Sequence, residues 1–152
     1  MNSLFTLDTI RVDEKINDQQ EAFKRIAGIA FENGITESPE DVAAGLKERE
    51  KEGTTGFLEG FAIPHTKSAA VKEPAVIVIR TTEGIEWQSL DGEPVSFIIS
   101  LLIPEEEKGT THLTLLSHIS RLLIHAEVRR DLRGAADQAG IVEVLGKAAV
   151  SQ

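Results

Sequence analysis

Apolar positions along the chain fall into alternating helical and strand-like patterns. Leu4, Leu7 and Ile10, with Phe5 and Val12, form a short lead-in of strand character. Asp13 then offers a helix cap, and Ile16, Phe23, Ile26, Ala27, Ala30 and Phe31 recur at helical spacing up to Gly34, an expected stop. Ser38-Pro39-Glu40-Asp41 reads as an N-cap, a first-turn proline and first-turn acids. Val42, Ala43 and Leu46 follow on one face, and this second helix fades between Glu50 and Gly53. Two continuous apolar runs of strand length come next, Ala75 to Ile79 and Val95 to Ile103, the second ending at Pro104. Runs of this kind are expected in a sheet covered on both faces. Between them Asp91-Gly92 marks a turn, and Trp87, with Ile85 and Leu90 beside it, reads as an anchor holding the loop on the core. Thr110 or Thr111 can cap a further helix through Leu113, Leu116, Ile119, Leu122, Leu123 and Ala126; Gly134 interrupts, and Ala139 to Leu145 forms a short last helix. Helices before and after the strands predict α/β layering in a single domain over residues 1–152.

The chemistry concentrates in Gly60-Phe61-Ala62-Ile63-Pro64-His65-Thr66-Lys67-Ser68. Pro64 biases Ile63 toward an extended conformation, so His65 is expected at the end of a strand-like segment in a set orientation. Glycines at 53, 56 and 60 leave little bulk on the approach, which suits a site that a macromolecule or phosphoryl group must reach. An unperturbed imidazole is substantially neutral near pH 7 and can act as a nucleophile. The same pattern also fits a loop histidine behind a buried strand. Arg49, near the end of the second helix, is a candidate phosphate clamp through its paired donors, or one member of a solvated charge run. His112 falls in the first turn of a later helix, where unsatisfied N–H groups favour an anion; an exposed capping-region histidine is the alternative. His118 and His125 read as packing or surface residues.

Composition removes several classes of function. The 152 residues include no cysteine, so disulfides, thiolate nucleophiles and cysteine-based metal sites are excluded. With no H-E-x-x-H either, no metal site is expected. A formal net charge of -9 argues against a general nucleic-acid binder and against anionic membrane surfaces. No apolar stretch is long enough to span a bilayer and the N-terminus does not read as a signal peptide, so the cytoplasm is the expected location. Nucleotide-binding loops and the G-x-S-x-G elbow are absent; if His65 is a nucleophile, the electrophile these residues suit is a phosphoryl group from a donor supplied by a partner, with His112 and Arg49 as the electropositive surroundings.

The run Lys51 to His65, with Arg49 upstream and Thr111-His112-Leu113-Thr114-Leu115-Leu116 downstream, resembles the fructose/mannitol class of IIA domains (EIIA type-2) of the bacterial sugar phosphotransferase system. The likeness extends over nearly the whole chain, including the Trp87 to Val95 segment. Its specificity lies in the combination of A-I-P-H, the upstream arginine and the downstream H-L-x-x-L. The resemblance implies a mixed central sheet flanked by helices in a three-layer α/β/α domain. It implies a phosphotransferase component with a phosphohistidine intermediate at Nε2 of His65, His112 as the second active-site histidine and Arg49 as the family's arginine, with no cofactor. The implied donor is the phosphocarrier HPr and the implied acceptor a IIB domain, which phosphorylates sugar brought in by a membrane IIC component. Thr66 and Ser68, beside the nucleophile, are candidate donors to the phosphoryl oxygens. A regulatory, nitrogen-related IIA paralogue is the alternative within the family, and a non-catalytic binding module with this fold the alternative outside it. Phe61 stands where an aliphatic residue is commoner, and Phe57-Leu58 is bulkier than the Ile-Gly often found there.

Overall fold

The computed structural model describes residues 6–106 and 111–151, with side chains described over 6–106 and 113–146. In chain order the elements are β1 (Ile10–Glu14), α1 (Gln19–Glu32), α2 (Pro39–Glu52), β2 (Phe61–Ala62), β3 (His65–Ser68), β4 (Ala75–Ile85), β5 (Val95–Pro104), α3 (Thr111–Ile124), α4 (Ala126–Gly134) and α5 (Gln138–Ser151). The sheet order is β1-β4-β5-β2, with β3 also paired to β5. β4 and β5 run antiparallel, while β1 lies parallel to β4 and both β2 and β3 lie parallel to β5. The sheet is therefore mixed, and among the described residues five α-helices flank its five strands.

Side chains alternate across a strand, so the two apolar runs supply two cores at once. Ala62, Ile77, Ile79, Ile98 and Leu102 face α1 and α2, meeting Phe23, Ile26, Val42 and Leu46. Phe61, Val76, Val78, Phe97, Ile99 and Leu101 face the other helices, meeting Ile119, Leu122, Leu132, Ile141 and Leu145. Two buried faces make the domain a three-layer α/β/α structure. Among the described residues no helix is long and apolar enough to cross a membrane.

Several local expectations shift. The cap of α1 is Asp18, not Asp13: Asp18 Oδ1 accepts from Glu21 N at 2.8 Å, while Glu21 Oε1 accepts from Asn17 N at 2.7 Å. Asp13 instead lies in β1 with φ 57, where the register with β4 slips. Gly34, at φ 72, does end α1 in the left-handed conformation that favours glycine. Phe31, at the last turn of α1, is 55% exposed, and Leu113 in α3 is 59% exposed because Leu115 takes the inward position. Ala126 opens α4 rather than closing α3. Arg80 closes α4, its Nη1 donating to the carbonyls of Leu132, Arg133 and Ala135 at 3.1, 3.2 and 2.7 Å.

Trp87 is the anchor its neighbourhood suggests, buried edge-on against Phe23 with ring centroids 5.7 Å apart. Its Nε1 donates to Glu50 Oε2 at 3.2 Å, tying the β4–β5 connection to the end of α2. Ile85 is buried with it, whereas Leu90 is exposed and contributes nothing to the anchor. The segment passes so close to Gly56 that a Cβ there would lie 2.6 Å from Ser89 Cα and 3.0 Å from Trp87 Cδ1. Gly56→Ala is expected to destabilise the fold by about 1–3 kcal/mol, because backbone must shift to admit the methyl; urea unfolding measures it.

His118 lies half-buried on α3, its Nε2 without a hydrogen-bond partner, and His125 is exposed ahead of α4. Burial, assisted by the Arg121 charge, holds the His118 imidazole below its ordinary value of 6.5. The folded chain thus favours neutral His118, and the unfolded chain binds the proton more readily. This contribution to stability is present above pH 6.5 and is lost as pH falls from there toward the lowered folded value. His118→Leu is expected to flatten that loss, as measured by thermal unfolding across the pH range.

Candidate functional site

Pro64 divides what would be one edge strand. Phe61 and Ala62 pair with Phe97 and Ile98, and His65 pairs with Leu101, so β2 and β3 keep one register along β5 on either side of Ile63-Pro64. The Pro64 carbonyl still accepts from Leu101 N at 3.0 Å, but the proline has no N–H to give, as befits a sheet edge. His65 is consequently the first residue of β3, not the last of a strand. It is 5% exposed, on a register that points it to the α3–α5 side of the sheet.

Both imidazole nitrogens are engaged. His65 Nδ1 lies 2.8 Å from the Ile63 carbonyl oxygen, which can only accept, so Nδ1 carries the proton. Arg49 Nε–H, which can only donate, lies 3.1 Å from His65 Nε2, so the lone pair is there. The two contacts specify the same tautomer independently. Arg49 reaches the ring from the last turn of α2, and its Nη1 is tethered to the Gly53 carbonyl at 2.9 Å. Sequence spacing separates Arg49 from His65; the fold brings them into contact.

His112 is the second residue of α3, in its first turn, and its side chain lies outside the described residues. Thr110, the alternative cap, lies outside them as well. Thr66 and Ser68 do not suit the role of phosphoryl donors. Alternation turns Thr66 to the opposite face from His65, where its Oγ1 would be 2.5 Å from a Cβ on Gly45 of α2. Ser68 Oγ accepts from Ala70 N at 3.0 Å and shapes the turn after β3. Among the described residues no cluster of three or more His, Cys, Asp or Glu could hold a metal ion.

Gly56 and Gly60 serve the chain's approach to itself, contrary to the open approach expected of them, whereas Gly53 has no atom within 4 Å of its missing Cβ. Gly56 admits Ser89, and a Cβ on Gly60 would meet Arg133 Nη2 at 3.1 Å. Glu59 and Gly60, with φ 52 and 86, make the sharp turn into β2. Two clamps hold that turn, neither of them evident from sequence spacing. Buried Arg129 sends Nη2 to both Glu59 oxygens at 3.2 and 3.3 Å and Nη1 to the Leu123 and Ile124 carbonyls at the end of α3. Asp91 Oδ2 accepts from Glu59 N at 2.8 Å; this bond and a second from Glu93 N hold the exposed carboxyl below the ordinary 3.8. Phe61, the departure from the usual aliphatic, is accommodated by stacking on Phe97 at 4.8 Å with the Arg133 guanidinium 5.0 Å over its ring.

Comparison with known proteins places the chain in a family. The chain is 31% identical over 147 residues to the PTS system fructose-specific EIIA component of Haloferax volcanii, covering 97% of this chain and 95% of that protein. Nitrogen Regulatory Protein IIA-Ntr from Neisseria meningitidis has a similar structure, with a TM-score of 0.87 and 30% identity over 95% of this chain and 97% of that one. An Escherichia coli structure, a complex of enzyme IIAMtl and phosphorylated enzyme IIBMtl, shares the fold at a TM-score of 0.76 and 19% identity, covering 92% of this chain and 95% of that one. The chain spans only 23% of the fructose-specific EIIABC component of Bacillus subtilis, which it also matches. The family described as "Phosphoenolpyruvate-dependent sugar phosphotransferase system, EIIA 2" is matched over residues 3–148, and the chain belongs to it.

Proposed function

We propose that the chain is a phosphoryl carrier that accepts a phosphoryl group on His65 Nε2 from phosphorylated HPr and passes it to a IIB domain. The observation that carries this reading is the imidazole held at Nδ1 by Ile63 with its Nε2 lone pair beside Arg49. Neutral His65 attacks phosphorus through Nε2; the new N–P bond forms as the donor's N–P bond breaks, and that electron pair returns to the donor ring. Nδ1 keeps its proton and its bond to Ile63 throughout. In the resting state the Arg49 Nε–H occupies the Nε2 lone pair, so acceptance requires the guanidinium to yield it. Its tether to Gly53 keeps it close enough to donate to the arriving phosphoryl oxygens instead. His112, in the first turn of α3, supplies a further donor to those oxygens. The exchange takes place in the cytoplasm and feeds sugar uptake through a membrane IIC component. A complex of a IIA with a phosphorylated IIB on the same fold supports the acceptor.

The likeness to IIA-Ntr supports a second reading, in which the phosphorylated chain regulates other proteins. Transfer to a fructose IIB domain with formation of sugar phosphate distinguishes them: a carrier performs it, and a regulator holds its phosphate.

Incubation with phosphoenolpyruvate, the general phosphotransfer enzyme and HPr is expected to give an acid-labile, base-stable phosphate mapped to His65 and absent from His65→Ala. No label, with all components active on a known IIA protein, leaves a binding module. Arg49→Lys loses the planar fork and is expected to slow acceptance about 100-fold, read by rapid quench. His112→Gln is expected to accept phosphate while impairing its retention or onward transfer; wild-type kinetics in both directions contradict the role given to it.

A further inference from the structure

We infer that Glu50 is a positioning residue for His65, fixing the ring's tautomer through a chain of hydrogen bonds around the end of α2. The inference deepens the carrier reading and rests on it. Three donors converge on the Glu50 carboxylate: Thr55 N at 3.0 Å, Thr55 Oγ1 at 2.5 Å and Trp87 Nε1 at 3.2 Å. The Thr55 carbonyl accepts from Ile63 N at 2.9 Å, and the Ile63 carbonyl accepts from His65 Nδ1 at 2.8 Å. Each residue in the chain receives a bond on one atom and makes the next through another, so what passes along it is position.

At its start the gripped segment is also held at Gly53, whose N–H donates to the Glu50 carbonyl at 3.2 Å and whose carbonyl accepts from Arg49 Nη1 at 2.9 Å. Gly53 opens it with no atom near its missing Cβ, and Thr55 is held to α2 through the Glu50 side chain. Arg49 and Glu50 are neighbours in the last turn of α2, and they govern the two ring nitrogens separately. Arg49 touches Nε2 directly, whereas Glu50 reaches Nδ1 through Thr55 and Ile63. A carboxylate suits the position because it offers acceptors to all three donors. An amide in its place would keep its one oxygen for Thr55 N and Trp87 Nε1 and turn its NH2 to the Thr55 hydroxyl, which can accept, so it is an apolar side chain that removes the grip. Once the Ile63 carbonyl drifts, only the Arg49 contact opposes the Nε2–H form, which has no lone pair at the attacking nitrogen, and acceptance requires Arg49 to yield that contact.

The test is imidazole 15N spectroscopy of histidine-labelled protein, paired with the initial rate of acceptance from phosphorylated HPr. The wild-type chain is expected to show His65 as the Nδ1–H form. In Glu50→Leu, which offers no acceptor, an Nε2–H population is expected to appear and acceptance to fall about 10-fold, the scale of losing an outer hydrogen bond to a functional histidine. Thr55→Val removes only the hydroxyl link and is expected to move both readouts less in the same direction, while Thr55→Ser restores them; this pair decides the matter if Glu50→Leu does not fold. An unchanged Nδ1–H form in folded Glu50→Leu, or in Thr55→Val, overturns the inference. The spectrum needs no phosphoryl donor, so in a chain that takes up no phosphate the tautomer shift alone decides: its appearance supports the positioning role and its absence overturns it.

Discussion

The contact between His65 Nδ1 and the Ile63 carbonyl determines which ring nitrogen keeps its lone pair, and much of the structure serves to hold that carbonyl still. Donor and acceptor lie two residues apart, so the bond depends on how the backbone at Ile63-Pro64 is held. That stretch is fixed from both sides of the sheet edge. β5 pairs with β2 before it and with β3 after it in one register, and Thr55 holds Ile63 N from outside. Removing the carbonyl from its place would leave a histidine in the same fold with its reactive nitrogen undefined.

The layered architecture explains how one histidine meets groups from distant parts of the chain. His65 lies on an edge strand, with its side chain on one face and that of Thr66 on the other. Arg49 comes over the edge from α2, and α3 begins with His112 in its first turn. A central strand would have been closed off by neighbours on both sides. At the edge, the backbone interruption at Pro64 costs no ladder bond that a neighbouring strand would have needed.

Elements with strong periodicity were legible in the sequence. The runs in β4 and β5 are buried on both faces as their unbroken apolar character requires, and the caps Ser38-Pro39 and Gly34 mark real helix ends. Asp13 misled because three aspartates precede α1, and only Asp18 sits at its N-cap, where it takes the Glu21 N–H while the Glu21 carboxylate takes that of Asn17. At the site, His65 and Arg49 were readable as candidates from residue type and order, but not that His65 is buried or that Arg49 touches it. The roles of Glu50, Glu59 and Arg129 were not, since each depends on contacts between segments far apart in the chain. Glu50 looked like part of a charge run, and nothing local announces that Trp87 will reach it. The glycines were read as room for a partner, but Gly56 and Gly60 make room for Ser89 and Arg133.

The most direct measurement is the nitrogen–phosphorus coupling in the phosphorylated chain carrying 15N-labelled histidine. The geometry requires the coupling at Nε2 of His65, with Nδ1 still protonated and bonded to its carbonyl. Coupling at Nδ1 of His65, or at any other histidine, would contradict the account.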